Sequence, residues 1–186
     1  MTDDQMFYSG YGVIYLDMDG VLANFFDKFA EKFGKPHWKE IPNKEQSIAE
    51  LKNTDFFFQL DPFSTTISTV DLVKDVAKAH NLNWGINSSP LRGDRDNSAY
   101  WKRLWLEKYN IMPDVQHLIF TGMKEKWAVN EMDGTPNILI DDKPTNIQKW
   151  EAKGGLGIRW QANRDSFDDL TEQLWAAAAT VNRTYI

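Results

Sequence analysis

The sequence predicts an α/β fold, a mostly parallel sheet with helices on both faces, built as a single domain over residues 1–186. Three observations carry this expectation. Short apolar runs recur along the chain, most of them end in carboxylate or hydroxyl residues, and stretches with helical spacing separate them. Strands alternating with helices require right-handed crossovers, so neighbouring strands run parallel.

The first strand is Val13-Ile14-Tyr15-Leu16, a buried run that enters the loop Asp17-Met18-Asp19-Gly20. Phe25, Phe26, Phe29 and Phe33 follow at helical spacing, and Gly34 sits where a helix stops. Pro36, Pro42 and Pro62 break up residues 35–62, which hold one helix near 44–53. Val70, Val73, Val76 and Ala77 mark the next helix. A second strand over 83–87 ends at Ser88-Ser89-Pro90, and a long helix spans 98–109. Residues 118–120 form a third strand, 124–131 a short helix, and 137–140 a fourth strand ending in Asp141-Asp142. A helix over 145–152 stops at Gly154-Gly155, and a fifth strand covers 156–160. Ser166-Phe167-Asp168-Asp169 has the form of a capping box that opens the last helix.

Composition narrows the function. Hydrophobic residues make up 42% and charged residues 26%, as in an ordinary globular chain, while 13% aromatics leave rings to line a ligand pocket. A formal charge of −6 with no basic stripe excludes extended nucleic acid as a partner, though not a single small phosphate ester. The absence of Cys removes disulfides, thiolate catalysis and Cys-based metal sites. The first ten residues lack a secretory pattern, and no apolar run reaches the roughly 20 residues that span a bilayer. A cytoplasmic chain with no membrane contact is expected, either a monomer or a homodimer.

In an open parallel sheet, ligands bind outside the carboxyl ends of the strands. The unusual polar residues fall at those ends: Asp17 and Asp19, Ser88 and Ser89, Thr121 with Lys124 and Lys126 just after it, and Asp141 with Asp142. Two carboxylates at close range repel unless a cation or a shared proton relieves them. A hard divalent ion with oxygen ligands suits the pair Asp17/Asp19, and Asp141/Asp142 completes its site, although one of that second pair could serve only as a helix N-cap. A Ser88 or Ser89 hydroxyl with nearby backbone N–H groups forms a plausible phosphate cradle. One of Lys124 and Lys126 is expected to enter the site as the balancing cation. His37, His80 and His117 show no metal-ligand spacing and read as surface or core residues.

These residues resemble the motifs of the haloacid-dehalogenase (HAD) superfamily of phosphatases. Asp17-Met18-Asp19-Gly20-Val21 is similar to its first motif, Asn87-Ser88 to its second, Lys124 to its third and Ile140-Asp141-Asp142 to its fourth. Within the superfamily the chain resembles the 5′(3′)-deoxyribonucleotidases, through residues 16–25, Phe56-Phe57-Phe58-Gln59-Leu60-Asp61-Pro62, Ser88-Ser89-Pro90 and Leu139-Ile140-Asp141-Asp142. The resemblance implies a HAD-like Rossmannoid three-layer fold, with a small helical cap inserted after the first strand at about residues 25–62.

It further implies a Mg²⁺-dependent phosphomonoesterase acting on (deoxy)nucleoside monophosphates through an aspartyl phosphate. Asp17 is then the nucleophile and Asp19 the general acid and base. The metal falls to Asp17, Asp19 (through its carbonyl) and the Asp141/Asp142 pair, with Asp142 the direct ligand. Ser88, Ser89 and Lys124 hold phosphate, with Lys126 a rival because Lys124 lies further from Asp141 than the family pattern expects. Phe25 and Phe57 face base or sugar, or else pack in the core, and Leu91 and Arg92 lie at the mouth. Lys102 is a further phosphate candidate whose ordinary reading is a surface helix Lys. Lys143 stands where the family commonly has Arg, and lacks its planar fork. The alternatives are a HAD phosphatase for a sugar phosphate or nucleic-acid end, and a non-catalytic HAD-like binding protein.

Overall fold

A computed structural model describes residues 12–183, so the N-terminal segment read above for a secretory signal lies outside the described residues. Five strands form one sheet in the order β3-β2-β1-β4-β5. They are β1 Val13–Leu16, β2 Asn83–Ser88, β3 Leu118–Phe120, β4 Ile138–Asp141 and β5 Leu156–Arg159. Every pairing is parallel, with Leu16 opposite both Ile86 and Ile140. The chain therefore starts in the middle and winds outwards to one side, then to the other. The order reverses at β1, which puts the sheet's natural ligand crevice at the end of that strand.

The period of two along β1 divides the core. Ile14 and Leu16 face a large cluster with α3 (Thr66–His80), α4 (Arg95–Lys108) and α6 (Phe167–Arg183). Val13 and Tyr15 face the opposite side, where Ile147 and Trp150 of α5 (Pro144–Glu151) cover the sheet. Three layers result. The helices end as their sequences dictate: Gly34 (φ +61) and Asn81 (φ +55) take left-handed conformations after α1 (Phe25–Lys32) and α3. At the start of α6, Ser166 Oγ accepts from Asp169 N at 3.3 Å.

Boundaries shift by a few residues from the sequence expectation. The helix expected at 44–53 is α2, Lys44–Ala49, and the one expected at 124–131 is a single 3₁₀ turn, Lys124–Trp127. After that turn the chain makes a small excursion, with Val129 bridging Pro136 and Asn130 N donating to Thr135 O at 2.8 Å. The excursion absorbs the extra residues between Lys124 and Asp141, and so explains the long spacing noted in the sequence.

Residues 25–62 contain α1, α2 and two 3₁₀ turns, Trp38–Glu40 and Phe56–Gln59. The stretch leaves and rejoins the body at one place. Ala23 forms an antiparallel bridge with Pro62, Asn24 N donates to Asp61 O at 2.9 Å and Phe63 N to Leu22 O at 3.1 Å. Its returning end is fastened to α4 by Trp105 Nε1, which donates to Leu60 O at 2.7 Å. Among the described residues no helix is long and apolar enough to cross a membrane.

Candidate active site

The loop after β1 turns sharply because Gly20 adopts φ +83, a conformation that side chains rarely take. A Cβ at Gly20 would also lie 2.6 Å from Asp142 Oδ2. Glycine is therefore what allows the Asp17–Gly20 loop and the Asp142 carboxylate to approach one another. Gly20→Ala is expected to cost about 1–2 kcal/mol for the backbone alone and to weaken divalent-cation binding; chemical denaturation with and without Mg²⁺ measures both.

Asp17 follows β1 directly and Asp141 ends the adjacent β4, so the sheet itself brings their carboxylates together. Oxygens of Asp17, Asp141 and Asp142 all lie within 4.8 Å of one another. Lys124 enters between two of them, its Nζ 2.9 Å from Asp17 Oδ1 and 2.6 Å from Asp141 Oδ2, with only 3% of its side chain exposed. Asp17 Oδ1 also accepts from Met18 N at 2.7 Å. Asp141 is saturated: Lys143 N donates to Oδ1 at 2.8 Å and Asn146 Nδ2 to Oδ2 at 2.9 Å. Among the described residues the Asp142 carboxylate has no such partners, and it lines the open cleft.

The charges respond accordingly. Burial, then the charges of Asp17, Asp141 and Asp19, push the Asp142 carboxyl up to about 8. Asp141 is raised by burial and by Asp17, against the pull of Lys124. Burial keeps the Lys124 ammonium from gaining all that Asp17 and Asp141 offer, yet its pKa is still raised. A carboxyl with a folded pKa above its unfolded value stabilises the fold at low pH, and that contribution is lost as pH rises through the folded value. Without divalent cation the melting temperature is thus expected to fall from about pH 5 to about pH 9. Added Mg²⁺ should recover most of the loss at the alkaline end, as paired thermal melts in chelator and in Mg²⁺ would record.

Asp19 sits apart from the three-carboxylate group. Its Oδ2 accepts from Lys102 Nζ at 2.7 Å, and among the described residues its buried Oδ1 has no hydrogen-bond partner. Burial raises its pKa first; Lys102 lowers it and Asp17 raises it again, for a net upward shift. Lys102 corrects the surface reading. It is 1% exposed on α4, donates to Ser88 Oγ at 2.9 Å as well as to Asp19, and lies 4.8 Å from the centre of the Phe57 ring. Ser88 is fully buried beneath it, whereas Ser89 reaches the cleft.

The cleft has a volume of about 920 Å³ and is bordered by Asp17, Asp19 and Asp142. One wall is aromatic: Phe25, Phe26 and Trp38 line it, with Phe26 and Trp38 centred 5.2 Å apart. Phe57, expected either at base or sugar or in the core, does not line it. It is 3% exposed and stacks behind Phe25 at 6.1 Å, part of the core. Leu91 and Arg92 also lie off the cleft lining, Leu91 packed against the core and Arg92 exposed. Lys126 is exposed and borders a separate cavity by the starts of β1 and β2, so the structure gives Lys124 the inner position. Lys143 and His37 do line the cleft. Sequence reasoning missed Phe26, Trp38, Asn146, the strand residue Arg159 and the loop residues Gln161, Asn163 and Arg164. Arg159 ends β5 and the other three follow it, and the same strand-end rule that found the carboxylates would have found them.

Sheet order and the acidic site at the reversal point define a three-layer α/β protein with a carboxylate group at the switch point of its parallel sheet. In sequence it resembles 5′(3′)-deoxyribonucleotidases. It is 29% identical over 154 residues to the mitochondrial enzyme of Homo sapiens and 26% identical over 153 residues to that of Mus musculus. Each match covers 70% of this chain, and the chain spans 62% and 64% of those two relatives. No family model matches the chain. Among solved structures, it is similar at a TM-score of 0.48 and 14% identity to a HAD family enzyme from Bacteroides thetaiotaomicron, in complex with magnesium and inorganic phosphate. That likeness covers 87% of this chain and 99% of the other.

Proposed function

We propose that the chain is a Mg²⁺-dependent phosphomonoesterase that hydrolyses (deoxy)nucleoside monophosphates through an aspartyl phosphate on Asp17. The observation that carries this reading is the meeting of Asp17, Asp141 and Asp142 within 4.8 Å beside an aromatic-walled cleft. The donor set fits a small hard cation, being all oxygen, and the upward shift of Asp142 marks a carboxylate short of positive charge. Asp17 and Asp142 would hold the ion, because Asp141 is already taken up by Lys124, Asn146 and the backbone. When bound, Mg²⁺ offsets carboxylate and phosphate charge and so lets an anionic substrate approach an anionic nucleophile.

The side chains then divide the work. Both bonds to Asp17 fall on Oδ1, leaving Oδ2 to attack phosphorus as the bond to the leaving oxygen breaks. Asp19, its pKa raised and its Oδ1 unpartnered, supplies the proton to the leaving oxygen. It then takes one from the water that cleaves the acyl phosphate. Lys124 fixes Asp17, and Lys102 fixes Asp19. Phe25, Phe26 and Trp38 offer flat apolar surface to a base. In this reading residues 25–62 act as the cap that sets substrate choice.

A phosphate-release assay tests the proposal. Deoxy- and ribonucleoside 5′- and 3′-monophosphates and a set of sugar phosphates would be compared, each with Mg²⁺ and with chelator. Turnover that needs Mg²⁺ and favours nucleotides is expected. Equal rates on sugar phosphates would defeat the nucleotide assignment, and no release from any ester would defeat the enzyme itself.

A further inference from the structure

Charge in the cleft is segregated by depth. The acidic side chains Asp17, Asp19 and Asp142 are buried or half-buried at the floor, while Lys39, Lys143, Arg159 and Arg164 are exposed on the rim, where Asp27 is the one exposed acid beside them. On a chain of net charge −6, a rim of cations facing one cleft stands out. The loop after β5 is built to hold one of them there. Ala162 N donates to Gly20 O at 3.0 Å, which stitches this loop to the one bearing Asp17 and Asp19. Asp165 is consumed inside the loop, accepting from Gln161 N and from Arg159 Nη1, each at 2.6 Å. Among the described residues Arg164 is left with no carboxylate partner, on a backbone whose N donates to Gln161 O at 3.1 Å. An exposed guanidinium on a loop anchored this way is free to take up a phosphate.

Space points the same way. At about 920 Å³ the cleft stands at the upper end of the roughly 300–1,000 Å³ that encloses a drug-sized ligand, with room beyond one mononucleotide. We propose that the rim around Arg164 binds a second phosphate, so that the preferred substrates are nucleotides carrying a phosphate beyond the one transferred. This deepens the nucleotidase reading and rests on it. Two sources share that chemistry, a nucleoside 3′,5′-bisphosphate and a 5′-phosphorylated dinucleotide; the overall negative charge weighs against longer strands.

Binding is measured in the Asp17→Asn background, where no turnover intervenes, by calorimetry in Mg²⁺. The probes are deoxythymidine 5′-monophosphate, its 3′,5′-bisphosphate and the 5′-phosphorylated dithymidylate. At least one doubly phosphorylated probe is expected to bind about tenfold or more tightly than the monophosphate, which corresponds to about 1.4 kcal/mol. Adding Arg164→Gln should erase that advantage while leaving monophosphate affinity unchanged, and raising salt should shrink it. Whichever probe holds the advantage identifies the source of the second phosphate. Equal affinities for all three, an advantage that survives Arg164→Gln, or no binding of any probe overturns the proposal. Failure of wild type to release phosphate from monophosphates would instead strike the nucleotidase reading, so the two failures are told apart.

Discussion

Asp17→Asn is expected to lower phosphate release by roughly four orders of magnitude or more, because the neutral amide oxygen is a poor nucleophile for phosphorus. The fold should hold. Asp17 lies among the carboxylates of Asp19, Asp141 and Asp142, so removing its charge relieves repulsion, and Lys124 keeps its 2.6 Å contact with Asp141. Melting temperature should therefore change little or rise slightly in chelator. Wild type incubated with labelled nucleotide and quenched in acid should retain phosphate on the protein, and the variant should not. Turnover near the wild-type rate in Asp17→Asn would end the covalent route.

Lys124→Met carries the second large effect, this time on stability as well as rate. The ammonium is buried between two carboxylates, and its removal leaves Asp17 and Asp141 facing one another without a cation. Breaking a buried pair by taking one partner costs roughly 3–5 kcal/mol, which for a chain of this size is a fall of about 6–20 °C in melting temperature. The deficit should shrink as pH falls, since protonating Asp141 removes the repulsion that Lys124 had balanced. Lys126→Met, on an exposed side chain, should stay within about 0.5 kcal/mol. Similar losses in the two variants would mean that neither lysine is special to the site.

Much of the architecture was legible because the signals were local. Val13–Leu16 followed by Asp17-Met18-Asp19-Gly20 announces a buried strand and a tight polar turn without reference to anything distant. The carboxylates at strand ends were found by the same reading. Lys102 was misread because it lies in Arg95–Lys108, a helix dense in charge, where one more lysine reads as solvated. Its position told otherwise: Ser98, Lys102, Trp105 and Leu106 fall at helical spacing and all are buried on one face. Phe57 was undecidable for a different reason. In Phe56-Phe57-Phe58 three rings stand side by side, and no periodicity says which of them turns inward. Phe26 and Trp38 were missed as cleft residues because their meeting depends on how a Pro-broken stretch folds back, which local pattern does not encode.

The paired crossing at Ala23 and Pro62 has a consequence for how such a protein diversifies. A stretch whose departure and return are stapled side by side behaves as a replaceable cassette: its interior can lengthen, shorten or change its rings while the strands beneath keep their register. The carboxylates of Asp17, Asp141 and Asp142 sit at the ends of β1 and β4 while the aromatic wall of Phe25, Phe26 and Trp38 belongs to the cassette, so the chemistry and selectivity proposed above would be written in separable parts of one chain.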